Sequence, residues 1–272
     1  MRLLIFLIFL GVNTFALAQP NCEAYKYFGD ELKYKACKAA EKRAGYYQFS
    51  RKYQEALDEA IAIDSTFAFA YRAKSTAYLK SGDFLQWKYL MDQAVKFEPS
   101  AQLDYRGWCR YQFFRDYQGA IGDIELLDSL VDYDIGHSVN GDYHLHLARA
   151  LCYKALGERE LAIGIIEGLL QDSTYFIGIY DFLHLGVLYL ETKQYEKALL
   201  AFDRQEKEND LAENRYYRAL VHNAMGEIEA YQSQLLLAKN MYLGGRKMFD
   251  PYVEQMDKIY LSTIEKALIA ER

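Results

Sequence analysis

The sequence predicts an all-α protein, a right-handed α-solenoid of about six helix pairs that ends in a capping helix. Apolar residues recur at helical spacing in segments of roughly 12–16 residues, the pattern of amphipathic helices. Short turns such as Ser81-Gly82-Asp83 divide these segments into antiparallel pairs. Similar segments return with a period of about 34 residues. Because a single pair leaves one apolar face uncovered, each pair must stack on a neighbour to complete the core.

The composition is that of a folded protein and excludes several classes. Of the 272 residues, 51% are hydrophobic and 26% are charged, so wholesale disorder is not expected. The 38 Asp and Glu residues outnumber the 32 Lys and Arg residues, and the net charge of −6 argues against a nucleic-acid partner. Tyrosine is unusually frequent, with 25 residues. The repeat explains this excess, because it places an aromatic ring at fixed helix positions.

The first eighteen residues have the three parts of a secretory signal. A short positive start precedes the apolar run Leu3–Phe15, and small residues follow up to Ala18, after which we expect cleavage. The run is shorter than the roughly 20 residues needed to span a bilayer, so an uncleaved membrane anchor is the weaker alternative. The residues before Cys22 do not fit a lipobox. Residues 1–18 are therefore predicted to be a signal peptide, and the protein to be periplasmic or secreted.

An exported chain meets an oxidising compartment, which bears on its four cysteines. Four cysteines allow three full pairings, and sequence alone does not choose between them. Cys22 and Cys37 are close in sequence, and we expect them to form a disulfide that ties an N-terminal segment, residues 19–36, to the first helix. Cys109 and Cys152 lie within helical patterns, where buried thiols are the favoured interpretation, although their pairing stays open.

The clearest repeat spans Phe182–Phe202. It reads Phe-x-x-Leu-Gly-x-x-Tyr from 182 to 189, and Ala-x-x-x-Phe from 198 to 202. This resembles the tetratricopeptide repeat, with Phe in place of the opening Trp. About six such units are expected over residues 37–249. Their equivalent first-helix positions are Tyr47, Tyr78, Tyr111, Tyr153, Tyr189 and His222.

Two segments depart from the period. Residues 129–142 form an insertion with three Asp, two Gly and one Asn, which predicts a surface loop that tolerates shortening. Asp250-Pro251 has the residues of a helix start, with Asp as the N-cap and Pro at the first helical position. An apolar stripe follows, so residues 250–272 are predicted to be a capping helix that shields the last repeat.

No motif supports catalysis or a cofactor. The insertion can be aligned with a calcium loop, but Gly136, His137 and Tyr143 stand where the loop requires an oxygen ligand, Gly and Glu. The five histidines have no spacing suited to shared metal ligation, and GxxxxGK[ST], HExxH and GxGxxG are absent from the sequence. The sequence therefore predicts no enzyme, no metal site and no cofactor.

One local charge feature allows two interpretations. From Lys26 to Lys52 there are eight Lys and Arg residues against three Asp and Glu. They either form a solvated first helix or face an acidic partner or an anionic envelope surface.

The resemblance implies a binding groove lined by the first helices. Carried over position by position, the groove includes Gln112 and Glu213, and the candidate partner-binding residues are Phe69, Arg72, Lys80, Tyr105, Phe113, Lys154, Tyr180 and Tyr216. The aromatic members are expected to point away from the core, whereas Tyr78, Tyr111 and Tyr189 are expected to be structural. The full Lys/Arg/Asn clamp of the chaperone-tail binders in this family is missing.

The sequence thus predicts a non-catalytic scaffold of the cell envelope that binds a peptide or a partner helix. Mixed aromatic and charged groove residues suit protein segments. The alternative is a solenoid that binds carbohydrate or another small ligand by stacking on the groove aromatics. The sequence identifies neither the partner nor the oligomeric state.

Overall fold

The computed structural model describes residues 20–269, so the predicted signal peptide lies outside it. Within this range the regular elements are fourteen α-helices and one π-helical turn, which confirms the all-α prediction. None of these helices is both long and apolar enough to cross a membrane. The helices are α1 Cys22–Tyr27, α2 Glu31–Glu41, α3 Arg51–Ile63, α4 Ala68–Ser81, α5 Phe84–Phe97, α6 Pro99–Cys109, the π-helical turn Arg110–Phe114, α7 Tyr117–Leu130, α8 Leu145–Ala155, α9 Arg159–Gln171, α10 Asp181–Glu191, α11 Tyr195–Asn209, α12 Ala212–Ala224, α13 Ile228–Leu243 and α14 Leu261–Ile269.

The helices form two compact units that divide after Glu98. In the first unit, α2 pairs with α3 and α4 with α5. In the second unit, the pairs are α6/α7, α8/α9, α10/α11 and α12/α13. The described residues therefore hold six helix pairs, as the repeat predicts. The first helices of successive pairs in the second unit contact one another, which places α6, α8, α10 and α12 in one row.

Local capping explains where several helices begin. The side chains of Asp30, Ser50, Asp83 and Asp116 each accept a hydrogen bond from the backbone N–H three residues later, at 3.0 to 3.3 Å. Such caps satisfy one of the backbone donors that a helix start leaves unpaired. At the other end of α4, Gly82 adopts a φ of 81°, a left-handed conformation that ends the helix at little steric cost.

The repeat motif has its expected packing role in the pair α10/α11. Gly186 of α10 faces the ring of Phe202 in α11, and a Cβ atom at residue 186 would overlap that ring. Phe202 itself is fully buried. The Gly and the Phe of the motif therefore allow the two helices to approach closely.

The first helix pair begins earlier than the sequence predicts. Helix α2 starts at Glu31, so a boundary at residue 37 is wrong and cuts this helix. The cause is Asp30, whose side chain caps the helix. The helix therefore begins at Glu31, six residues before the predicted start of the repeats. Tyr47 is not a helix position either: it lies in the turn between α2 and α3 and is 72% exposed.

A disulfide joins Cys22 of α1 to Cys37 of α2, with a Cα–Cα distance of 5.5 Å. Both cysteines are buried in the core of the first unit together with Leu57, Ala60 and Phe67. Cys109 and Cys152 are buried in α6 and α8.

Replacing Cys22 and Cys37 together by serine should lower the free energy of unfolding by ~3 kcal/mol, since the bond closes a short loop that the unfolded chain would otherwise leave open. Urea unfolding of the double variant and of the reduced wild-type protein should agree. If non-reducing peptide mapping found both thiols alkylatable in exported protein, the bridge would be rejected.

The insertion is packed at a few of its residues. Helix α7 extends to Leu130, and the loop that follows buries Ile135 and Ser138. The backbone N–H of Ser138 donates to the carbonyl of Tyr143 at 2.7 Å, and Tyr143 is itself buried. Most of residues 129–142 are exposed, as in a surface loop, but deleting residues 134–139 should destabilise the second unit because it removes these contacts.

The capping helix does not begin at Asp250. The carboxylate of Asp250 accepts hydrogen bonds from the N–H groups of Tyr252 and Val253, as an N-cap would, yet no helix follows until α14. Residues 246–260, which we call the strap, are non-helical because their polar groups and apolar side chains are bound elsewhere in the second unit. Helix α14 packs on α13 and buries Ile264 there.

Candidate functional site

The candidate residues of the first unit lie on one helix and reach solvent. Phe69 and Arg72 of α4 are half-buried and Lys80 is exposed. The guanidinium of Arg43 lies 4.7 Å from the centre of the Phe69 ring, which fixes one face of that ring. The ammonium of Lys80 donates to Gln48 Oε1 at 2.9 Å. The first unit thus presents an aromatic ring and cationic side chains on α4.

The candidate surface of the second unit is occupied by the strap. Contacts to the strap come from the π-helical turn after α6 and from α8, α10 and α12, and we call this surface the inner face of the second unit. Its residues that bond the strap include Gln112, Lys154, His184 and Glu213. Three of these are positions at which the resemblance implies a groove. The inner face therefore holds an irregular segment of the protein's own chain, with bends at residues 251–253 and a turn at residues 256–257.

One side chain of the strap enters a charged pocket. The carboxylate of Asp257 lies 2.6 Å from Lys154 Nζ and 2.7 Å from His184 Nδ1. The side chains of Asp257 and Lys154 are each only 6% exposed, and His184 is fully buried. Lys154 also lies 3.4 Å from a carboxylate oxygen of Glu191. A buried charge in such a place requires a partner, and here each charge has one.

The pKa of Asp257 reports how well this pocket holds a carboxylate. Burial by itself raises the pKa, but the charge of Lys154 and the hydrogen bond from His184 outweigh it, so the pKa of Asp257 lies below its ordinary value. The pocket therefore binds the ionised form. We call it the carboxylate pocket.

The backbone of the strap is held by a second acidic residue. Glu213 of α12 is fully buried, and its carboxylate accepts hydrogen bonds from the N–H groups of Met248 at 3.0 Å and Ile259 at 3.5 Å. Burial raises the pKa of Glu213, although these two hydrogen bonds act in the opposite direction. The hydroxyl of Tyr180 also bonds the backbone of Phe249. These contacts fix the path of the strap at both ends.

The pocket contains a relay of hydrogen bonds that could suggest catalysis. With His184 Nδ1 donating to Asp257, His184 Nε2 accepts from the hydroxyl of Tyr143 at 3.1 Å, an order similar to the acid–imidazole–hydroxyl row of hydrolases. Tyr143 is only 2% exposed, and burial raises the pKa of its hydroxyl well above the ordinary value. A hydroxyl that is buried and held protonated cannot meet a substrate. Among the described residues, no group of three or more His, Cys, Asp or Glu side chains is placed to hold a metal ion.

A cleft of about 240 Å³ lies between the strap and the insertion. It is lined by Asp142 of the insertion, Tyr180 at the start of α10, and Asp250 and Tyr252 of the strap, among others. The pKa of Asp142 is raised by burial and by the neighbouring charge of Asp250. Packing between the strap and the insertion is thus incomplete at this end.

Two predicted anchors are not exposed. Tyr105 and Tyr180 are 8% and 9% exposed, so the expectation that their rings point away from the core is wrong. Phe113 is 38% exposed, while Tyr216 is half-buried with its ring 5.4 Å from that of Tyr217. The ammonium group of Lys154 is paired with Asp257 of the strap. Tyr180 fails as a free anchor because it lies against the strap, where the backbone of Phe249 bonds its hydroxyl.

Among the tyrosines expected to be structural, Tyr111 and Tyr189 are buried and Tyr78 is half-buried. Sequence reasoning missed His184, Asp257 and Met248. Asp257 and Met248 fall in a segment whose apolar spacing suits a helix, and His184 is an unmarked position of the repeat. No local signal marked them.

The basic segment of the first unit is largely neutralised where it lies. Lys38, Lys42 and Arg51 each form an ion pair with a glutamate, at 2.5 to 2.6 Å. Lys26 and Lys52 lie over tyrosine rings. These exposed pairs contribute little to stability. They fit the solvated-helix interpretation better than a strongly basic docking patch.

Comparison with known proteins places the fold. No family model matches the chain, and no curated protein sequence matches it. The solved structure of PilW, described as a widely conserved type IV pilus biogenesis factor, matches with a TM-score of 0.58 at 15% identity, covering 86% of this chain and 98% of that one. The structure of pilF from Pseudomonas aeruginosa matches with a TM-score of 0.59 at 16% identity, covering 89% and 99%. YrrB, described as a TPR protein with an unusual peptide-binding site, matches with a TM-score of 0.54 at 16% identity, covering 69% and 93%.

This chain has the tetratricopeptide-repeat fold. In that fold the helices α6, α8, α10 and α12 are the first helices of their repeats, and the strap lies on their exposed side. The tetratricopeptide-repeat resemblance implied ligand binding on that same side. The structure adds that a segment of the chain already occupies it in the second unit.

Proposed function

We propose that this protein is a non-catalytic scaffold that binds extended segments of partner proteins on its first helices. The observation that supports this most strongly is the strap. The inner face of the second unit holds a non-helical polypeptide segment through one buried ion pair, backbone hydrogen bonds and buried apolar side chains. These are the contacts by which proteins bind peptides in general. The printed description of YrrB as a protein with a peptide-binding site agrees with such a use of the fold.

In the first unit we assign partner binding to the exposed side of α4. Phe69 offers an apolar ring, and Arg72 and Lys80 lie three and eleven residues further along the same helix. A ring beside cationic side chains suits a segment that carries both apolar and acidic residues.

We further propose that the protein acts in the cell envelope, periplasmic or secreted. The predicted signal peptide and the disulfide in the first unit support export.

Carbohydrate binding is the weaker proposal. It requires aromatic faces that a sugar ring can stack on. Tyr105 and Tyr180, two of the four rings on which that interpretation depended, are buried. Protein binding needs fewer exposed faces, because a backbone and single side chains suffice, as the strap demonstrates.

Site-specific photo-crosslinking tests the proposed function. A photoreactive residue at position 80 should crosslink a partner in the source envelope, whereas the same residue at position 88, on the second helix of the same pair, should not. Lys88 is the matched control because it too is an exposed lysine, and it is paired with Asp92 of its own helix. Equal capture at the two positions, or capture at 88 alone, would contradict partner binding on the first helices.

A further inference from the structure

We propose that the carboxylate pocket is a binding site for an Asp or Glu side chain within an extended partner segment. On binding, this side chain displaces Asp257 of the strap from the pocket. The inference deepens the proposed function and rests on it, since it names the chemistry of a ligand for the second unit. The pocket consists of Lys154 and His184, both buried and both directed at one carboxylate.

Many of the contacts that bind the strap are made to its backbone and do not depend on its side chains. Glu213 accepts two backbone N–H groups of the strap, and Arg115 donates to the backbone carbonyl of Glu254. The N–H of Ala212 donates to the carbonyl of Arg246 at 2.9 Å. Every extended polypeptide offers the same groups. A partner segment can therefore replace these contacts without matching the strap residue by residue.

The buried sequence-dependent contacts come from three side chains, while Asp250 accepts a hydrogen bond from Gln112 at 3.4 Å and Arg246 donates one to the carbonyl of Asp210 at 3.1 Å. Asp257 fills the carboxylate pocket, while Met248 and Ile259 are buried at 0% and 3% exposure. The matching ligand has an acidic residue, an aliphatic residue two positions later and another apolar residue upstream. The strap carries as many basic as acidic residues, and residues 99–269 have 26 Asp and Glu against 17 Lys and Arg. A strongly acidic segment would be repelled, so the ligand carries one pocket-binding carboxylate in an otherwise neutral or basic stretch.

Several features favour release of the strap over permanent packing. A cleft of about 240 Å³ lies between it and the insertion, with the carboxylates of Asp142 and Asp250 close enough to affect one another. Asp257 adopts a φ of 64°, which is unfavourable for a residue with a side chain. Gln255 is 9% exposed, and its Oε1 atom accepts no hydrogen bond. Each feature weakens the bound strap relative to a fully satisfied ligand.

The strap can also move without unfolding its neighbours. It is flanked by Gly244-Gly245, with Gly245 at a φ of 81°, and by α14, which has its own anchor in Ile264. Phe249 and Tyr252 are 70% and 83% exposed, so their rings add little to its hold. The segment can therefore leave the inner face as a loop that stays attached at both ends.

A labelled peptide with the sequence of residues 246–260 tests this by fluorescence anisotropy on the full mature chain. We expect it to bind an Asp257→Asn chain at least about tenfold more tightly than the wild-type chain. Without the Asp257 carboxylate the strap is held less tightly and leaves the inner face free more often. A peptide with Asn in place of the pocket aspartate should bind that chain roughly thirtyfold more weakly, because Lys154 then loses its close carboxylate partner and keeps the longer contact to Glu191 at 3.4 Å. A Tyr252→Ala chain is the control and should bind the peptide as the wild type does.

Equal binding of the two peptides, or no binding to a folded Asp257→Asn chain, would overturn the proposal. If that variant does not fold, hydrogen exchange of the wild-type chain decides. Excess strap peptide should accelerate exchange in residues 246–260, and unchanged exchange would overturn the proposal. This failure is distinguishable from failure of the proposed function, because crosslinking at position 80 does not depend on the second unit's pocket.

Discussion

Replacing Lys154 with methionine should lower the free energy of unfolding by about 3–5 kcal/mol, the range for a buried ion pair that loses one partner. Lys154 and Asp257 are both almost fully buried at 2.6 Å, so the substitution leaves the carboxylate of Asp257 without its cation. The hydrogen bond from His184 remains but does not supply the lost charge. Urea unfolding at pH 7 measures the difference.

The matched control is Lys197→Met, since Lys197 pairs with Glu167 at 3.6 Å but is 55% exposed. An exposed pair contributes between about 0 and 1 kcal/mol, so this variant should unfold close to the wild type. Combining Lys154→Met with Asp257→Leu should recover much of the loss, because no charge is then left unpaired. Equal stability of Lys154→Met and Lys197→Met would show that the pocket does not hold a buried carboxylate.

The same pair gives the wild-type protein a dependence on pH. Because the pKa of Asp257 is lowered in the folded protein, the ionised carboxylate contributes stability above the unfolded pKa of about 3.9, and that stability is lost as the pH falls through the folded value. The difference between wild type and Lys154→Met should therefore shrink below about pH 4. A difference that persists undiminished there would point to lost packing rather than lost charge.

Replacing Trp108 with alanine should destabilise the second unit by about 3–5 kcal/mol, as expected for a buried aromatic residue reduced to alanine. Trp108 is 1% exposed, and its ring centre lies 5.5 Å from that of Tyr111 and 5.9 Å from that of Tyr143. The indole thus joins α6, the π-helical turn and the residue that bonds His184. Its removal leaves a cavity at the base of the carboxylate pocket.

Thermal and urea unfolding of Trp108→Ala should be compared with Phe176→Ala, whose ring is 76% exposed. The control should change the free energy of unfolding by less than about 0.5 kcal/mol, as surface substitutions usually do. Similar losses in the two variants would mean that the aromatic cluster around Trp108 is not the core of this unit.

The repeat could be read from the sequence because its signals are local. The glycine at 186 and the phenylalanine at 202 sit at fixed spacing, and the structure packs them against each other. Turn glycines such as Gly82 end helices where the pattern expects. Such positions depend on neighbours one helix away, so sequence spacing alone determines their partners.

The strap could not be predicted, because its conformation depends on residues far away in the chain. Asp250-Pro251 and the apolar residues after it suit a helix locally, and Asp250 does cap two N–H groups. The contacts of Asp257 with Lys154 and His184 span 103 and 73 residues, and they outweigh that local preference. The exposure of Tyr180 was misjudged because the resemblance says nothing about a segment that covers the groove, and the backbone of Phe249 bonds this tyrosine.

Amide hydrogen exchange across residues 246–260 tests the central claim most directly, that the inner face of the second unit holds a non-helical polypeptide segment reversibly. We expect protection at the N–H groups of Met248 and Ile259, which bond Glu213, with exchange faster than that of the α12 core because the strap opens by itself. Unprotected amides at both residues would show that the strap does not lie on the face. Exchange as slow as global unfolding would show that it never leaves.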